Sequence, residues 1–238
     1  MNYKTTKILT VFSLVALMAA TAVATPRSGV SSGRHFLVAA EDLSAWHFGI
    51  YGRMKEYKVE YKGEKRDVEV GRVLAFAGYD LTPWATLYAM AGVNSAKDDL
   101  RDLSKNAFEL GFGAWMNILD HDTFDFLTLE QRFRIQSALQ VMMFRNDEFL
   151  WGELTGNITF GITHELVGSK FVLPDAITIY AGPAVNLVFS DDYDMSSSDM
   201  FGLAVGVDVQ VNSRTNLNVG GEIYSDNSAF TASLSIRL

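Results

Sequence analysis

Residues 127–143 alternate with a period of two. Leu127, Leu129, Phe133, Ile135, Leu139, Val141 and Met143 fall on one series, broken only by Gln131 and Ser137. Thr128, Glu130, Arg132, Arg134, Gln136 and Gln140 fall on the other. Successive side chains leave a β-strand on opposite faces, so this stretch predicts a strand with one apolar and one polar face. Two arrangements accommodate it. The apolar face is either the core of a soluble sandwich or the outside of a closed barrel in lipid, with Glu130, Arg132 and Arg134 lining a polar lumen.

The rest of the chain repeats the pattern. Ten strand-like segments follow one another, near residues 45–57, 67–79, 84–94, 108–118, 127–143, 149–163, 177–187, 201–210, 217–223 and 230–238. In the first, Trp46, Phe48, Ile50 and Met54 oppose His47, Tyr51 and Arg53. In the fourth, Phe108, Leu110 and Phe112 oppose Glu109, Gly111 and Gly113; in the sixth, Leu154, Ile158, Phe160 and Ile162 oppose Glu153, Thr155 and Asn157. The second leaves its facing open, because Val73, Leu74, Ala75 and Phe76 are consecutive. Asp80-Leu-Thr-Pro83, Asp120-His-Asp122, Asn212-Ser-Arg214 and Ser225-Asp-Asn227 carry turn chemistry.

The polar series decides between the arrangements. It is populated by Gly, Ser, Thr, Asn, Glu and Arg, which suit a narrow hydrated lumen, whereas glycine on a sandwich surface weakens a strand without benefit. Short turns after the second, fourth and eighth segments alternate with longer charged connections, as a barrel with both ends on one side requires. Aromatic residues cluster at segment ends: Trp46, Tyr79, Trp84 and Phe124 at one rim, Phe144, Phe149, Tyr193 and Phe201 at the other. The final segment would leave an open sheet edge unless it closed onto the first. The expectation is an all-β, closed antiparallel up-and-down transmembrane barrel of about ten strands, with eight the alternative.

The N-terminus fits an exported protein. Lys4 and Lys7 precede an apolar run over residues 8–20, then Ala22-Val23-Ala24, which reads as a signal peptide cleaved after residue 24. Residues 25–43 form a periplasmic lead-in and 44–238 the barrel. No later segment reaches the ~18 apolar residues of a membrane-spanning helix. The chain has no cysteine, which excludes disulfides, thiolate chemistry and a cysteine-linked lipid anchor. Its formal net charge of −8 argues against a nucleic-acid partner.

On these residues, the span from 44 to 238 and above all its terminal strand, with Phe230, Ala232, Leu234, Ile236 and Leu238 on one face, resembles the small bacterial outer-membrane β-barrels, the group of OmpA-type and OmpX-type barrels. Members usually end in an aromatic residue that the barrel-assembly machinery recognises; this chain ends in Leu238. The resemblance implies residence in the bacterial outer membrane, with outer-membrane lipid, lipopolysaccharide and that machinery as partners.

Catalytic and metal motifs find little support. Of the four histidines, His35 precedes the barrel, His121 and His164 fall in turns, and only His47 lies within a strand, with no Ser or acid tied to it by sequence. His164-Glu-Leu-Val-Gly168 lacks the second histidine of a zinc motif. Asp120-His-Asp122 reads as a polar turn rather than a metal site. Asp191, Asp192, Asp194 and Asp199 offer oxygen ligands for a divalent cation at the outer loops, without the spacing of a calcium-binding loop. No cofactor is expected. The constellation that remains is a lumen charge network of Glu109, Glu130, Arg132, Arg134 and Glu153, placed on one face by parity. Buried charges must pair, and barrels of this size are mostly filled by their own side chains, so the network reads as filling the lumen. The expected function is a non-enzymatic barrel with a structural or surface-interaction role. A narrow channel for ions or small solutes is the alternative, and a membrane-embedded hydrolase using His47 ranks last.

Overall fold

The computed structural model describes residues 45–61, 64–82, 84–98, 106–124, 130–145, 150–166, 174–190, 194–195, 200–212 and 214–238. The signal peptide, the lead-in with His35, Leu127, Leu129, Phe149, and Asp191, Asp192, Tyr193 and Asp199 lie outside these residues.

Every regular element among them is a strand. In chain order they are β1 (Trp46–Tyr61), β2 (Glu64–Thr82), β3 (Ala85–Asp98), β4 (Asn106–Phe124), β5 (Glu130–Arg145), β6 (Leu150–Glu165), β7 (Ala176–Ser190), β8 (Asp194–Met195), β9 (Phe201–Gln210), β10 (Thr215–Tyr224) and β11 (Ser228–Arg237). Ten of them pair antiparallel, each with its neighbour, and β11 pairs back onto β1 from His47↔Arg237 to Lys55↔Ala229. The sheet therefore closes into a ten-stranded barrel without a free edge. β8 stands apart from this wall. Its two residues, between β7 and β9 in the chain, pair with Val59 and Glu60 of β1, beyond the last β1–β11 pair at Lys55↔Ala229.

Burial is inverted relative to a soluble protein. Arg53, Lys55, Glu109, Glu153 and Asn186 are among the most deeply buried side chains, while Phe48, Ile50, Phe108, Phe112 and Ile179 are exposed. The outward set forms a continuous apolar belt far larger than the patches a water-soluble monomer tolerates, and lipid is the solvent that accepts it. The parity read from the sequence holds along β1, β5 and β6, and along β4 as far as Asn117. In β2 the open facing resolves with Arg72 and Leu74 inside and Val73 outside. A closed antiparallel barrel with this facing is the fold of the outer-membrane β-barrels.

Crowding inside the wall explains several glycines. The Tyr180 ring lies over Gly206 and Gly220 on neighbouring strands, and a methyl group on Gly206 would collide with the Tyr180 hydroxyl. Tyr88 lies over Gly113 in the same way, 2.5 Å from where a Cβ would stand. Pro183, which has no N–H to donate, falls where the β6–β7 ladder skips two pairs, between Asn157↔Ala184 and Phe160↔Ala181, with the register unchanged.

The structure corrects some local expectations. Asp120-His-Asp122 is not a turn: β4 runs on to Phe124, and His121 and His164 both lie in strands. Of the expected rim aromatics, Trp46 and Tyr79 pair on the outside with ring centroids 5.0 Å apart, and Phe201 is exposed. Phe144 instead points inward and is buried, because it shares the parity of Arg132 and Arg134.

Candidate functional site

The lumen is filled in layers. Towards the rim opposite the chain termini, Tyr57, Val68, Val70, Phe144 and Trp151 form an apolar layer inside the barrel. Trp151 stacks on Phe144 with centroids 6.1 Å apart and meets Tyr57 edge-on at 5.2 Å. Leu74 and Met142, further along β2 and β5, point inward as well, and the layer forms a stopper against water.

Beneath it lies a charge cluster. Arg53 Nη1 is 2.7 Å from Glu153 Oε1, and its Nη2 is 2.6 Å from Glu222 Oε2. Arg72 Nη1 is 2.8 Å from Glu153 Oε2 and 3.4 Å from Glu109 Oε1. The Tyr57 hydroxyl donates to Glu153 Oε2 at 2.7 Å, and Asn94 Nδ2 donates to Glu109 Oε2 at 3.2 Å. Lys55 Nζ sits 3.8 Å above the Tyr224 ring, whose hydroxyl donates to Glu222 at 2.9 Å. Three cations thus face three carboxylates, and the group is neutral as a whole. β6 is the fifth strand from β1 in either direction around the ring of ten, so the Arg53–Glu153 pair bridges the full width of the lumen.

Of the five network residues expected from sequence, Glu109 and Glu153 belong to this cluster. Arg132 and Arg134 do not. Their Nε atoms each lie 3.4 Å from a carboxylate oxygen of Asp120, nearer the terminal rim. Glu130 falls at the start of β5 opposite Phe124, and its side chain is outside the described residues. The cluster's own arginines, Arg53 and Arg72, were not among the five. Arg53 is legible from the alternation of β1, whereas Arg72 is hidden by the apolar run after it. Asp120 was hidden by a bulge. The β4–β5 register shifts between Asn117 and Leu119, which turns Asp120 from the lipid face to the lumen. Replacing Asp120 with asparagine removes the carboxylate between two buried guanidinium groups and should cost about 1–3 kcal/mol, read as a lower urea midpoint for the folded barrel.

At the terminal rim, His47 Nε2 lies 2.9 Å from Asp80 Oδ1, which also accepts from Thr86 Oγ1 at 2.5 Å. Arg237 Nη2 reaches Asp80 Oδ2 at 2.5 Å. The acid that sequence reading did not attach to His47 is therefore Asp80, expected in a turn but held in β2. Among the described residues no serine is hydrogen-bonded to His47, and the group works as an ionic clasp joining β1, β2, β3 and β11. Nor do three or more His, Asp or Glu side chains gather there as metal ligands.

Between the clasp and the charge cluster the lumen holds a cavity of about 220 Å³. It extends from Tyr51, Thr155 and Glu222 down to Thr86, Gln210 and Asn216. Trp84, expected at the rim, lines it instead.

No family model and no curated protein matches the chain. Among solved structures it is similar to the transport unit of the autotransporter AIDA-I from Escherichia coli, at 13% identity over 87% of this chain and 94% of that one, with a TM-score of 0.38. The translocator domain of the autotransporter NalP from Neisseria meningitidis follows at 12% identity, 87% and 95% coverage and 0.35. Ail, the attachment invasion locus protein of Yersinia pestis, matches at 10% identity, 82% and 100% coverage and 0.24.

Proposed function

We propose that the chain is a sealed, non-catalytic outer-membrane barrel whose task is structural or lies in contacts made at the cell surface. The observation that carries this reading is the Arg53–Glu153 pair across the width of the lumen, roofed by the Tyr57, Phe144 and Trp151 layer. An ion crossing this level would have to break charge pairs buried in a low-dielectric interior, which costs several kcal/mol per charge. With the termini in the periplasm, the stopper faces outward. The β1–β2 hairpin then rises beyond the wall at the cell surface, where Glu56, Lys58 and Glu60 are available to lipopolysaccharide or to a partner protein. Lipid covers the belt, and the barrel-assembly machinery inserts the chain.

Planar bilayers test the seal. The purified protein, refolded in detergent and shown to be heat-modifiable on gels, should be electrically silent. Discrete current steps in the unmodified protein, altered by Arg53→Ala, would establish the narrow channel instead.

A further inference from the structure

The cavity below the charge cluster is not explained by sealing. Its walls mix polar and aromatic groups, and the cations that border it are already paired. Four charged side chains border it, and each is engaged. Glu222 pairs with Arg53, Arg134 with Asp120, His47 with Asp80, and Asp208 accepts from Asn218 Nδ2 at 2.5 Å. What remains is a set of neutral donors and acceptors, such as Gln136, Gln140, Asn157, Thr159 and Ser233, facing the aromatic rings of Trp84, Tyr88 and Trp115. Tyr88 and Trp115 lie together with centroids 5.8 Å apart.

A second observation calls for an occupant. Thr155 lines the cavity and is only 4% exposed, and its hydroxyl has no hydrogen-bond partner. Its cross-strand neighbour Asn186 is wholly buried, with both side-chain polar atoms equally unpaired. Buried polar groups in folded proteins almost always find a partner, and leaving one without costs about 1–3 kcal/mol.

We infer that this cavity is a binding site for a small, neutral, polyhydroxylated molecule of the monosaccharide or polyol class. Its volume exceeds the about 150 Å³ that holds a benzene-sized guest, which suits a single sugar ring. A carboxylate or phosphate would find no unpaired cation among the four bordering charges. A hydrocarbon would leave Thr155 unsatisfied. A ring bearing hydroxyls at its edge and C–H groups on its faces meets both kinds of wall, with aromatic faces on one side and amide and hydroxyl groups on the other. The site lies below the seal, so it stands or falls independently of conductance.

Isothermal titration of the refolded full-length protein in micelles, with D-glucose, D-glucuronate and toluene as separate probes, is the test. Saturable binding of one D-glucose per barrel is expected, with D-glucuronate and toluene much weaker. Thr155→Val, which keeps the shape and removes the hydroxyl, should weaken glucose binding about five- to tenfold, the worth of one hydrogen bond. Trp115→Ala should abolish it, with folding checked by heat-modifiable mobility; if that variant does not fold, Thr155→Val decides. The absence of saturable binding of D-glucose would overturn the inference and leave the cavity to water alone. So would toluene binding as well as glucose, or glucose binding that Thr155→Val leaves unchanged.

Discussion

Glu153→Ala should lower the stability of the folded barrel by about 3–5 kcal/mol, the largest effect of any single lumen substitution. Glu153 receives Arg53 on one oxygen, and Arg72 and the Tyr57 hydroxyl on the other, and all four side chains are buried. Truncation removes none of the cost of burying the two guanidinium groups. It removes the carboxylate that compensates them both, and the Glu109 contact to Arg72, longer at 3.4 Å, is a poor substitute. Urea titration of the heat-modifiable form reads the loss directly as a lower midpoint. Glu153→Gln, which keeps the volume and one acceptor, should fall between alanine and the parent. A Glu153→Ala barrel as stable as the parent would mean that the cluster is hydrated rather than desolvated, and the seal would go with it.

Phe112→Arg tests the outer face. Phe112 is 63% exposed near the middle of β4, paired with Ala89 on one side and Val141 on the other. An arginine there stands in the hydrocarbon layer, which costs about 2–4 kcal/mol near the midplane. The variant should assemble poorly into membranes and show a depressed folded fraction. Gln136→Asn, whose side chain points the other way into the lumen, should assemble as the parent does. If Phe112→Arg assembles at the parental level, the belt is not in lipid.

How much of this was legible beforehand depends on the length over which the alternation stays in phase. β1, β5 and β6 carry it without a break, so strand number, closure and facing follow from the residues themselves. The site was less legible, for two physical reasons. Parity places a charge on a face but gives no height in the lumen, so Arg132 and Arg134 looked like partners of Glu153 when they lie at the level of Asp120. A bulge also inverts parity without leaving a sequence mark, which is how Asp120 could read as a turn residue. Arg72 was masked differently. A strand lined on both sides by apolar residues gives no period, and only its pairing with β1 and β3 fixes which way it turns.

The charge cluster has a consequence for how the chain reaches its fold. Adjacent hairpins can zip one after another, since each strand finds its neighbour close by in sequence. The ion pairs cannot. Arg53 meets Glu153 across 100 residues and Glu222 across 169, and these partners come together only when the sheet has curled round. Until then Arg53 lacks both of its carboxylates. The wall can therefore grow by local steps, but the interior is completed in a single late event whose timing is set by closure of β11 on β1. A half-curled intermediate gains strand pairing without gaining its electrostatic reward. The barrel's cooperativity thus resides in its interior, while its lipid face adds stability one strand at a time.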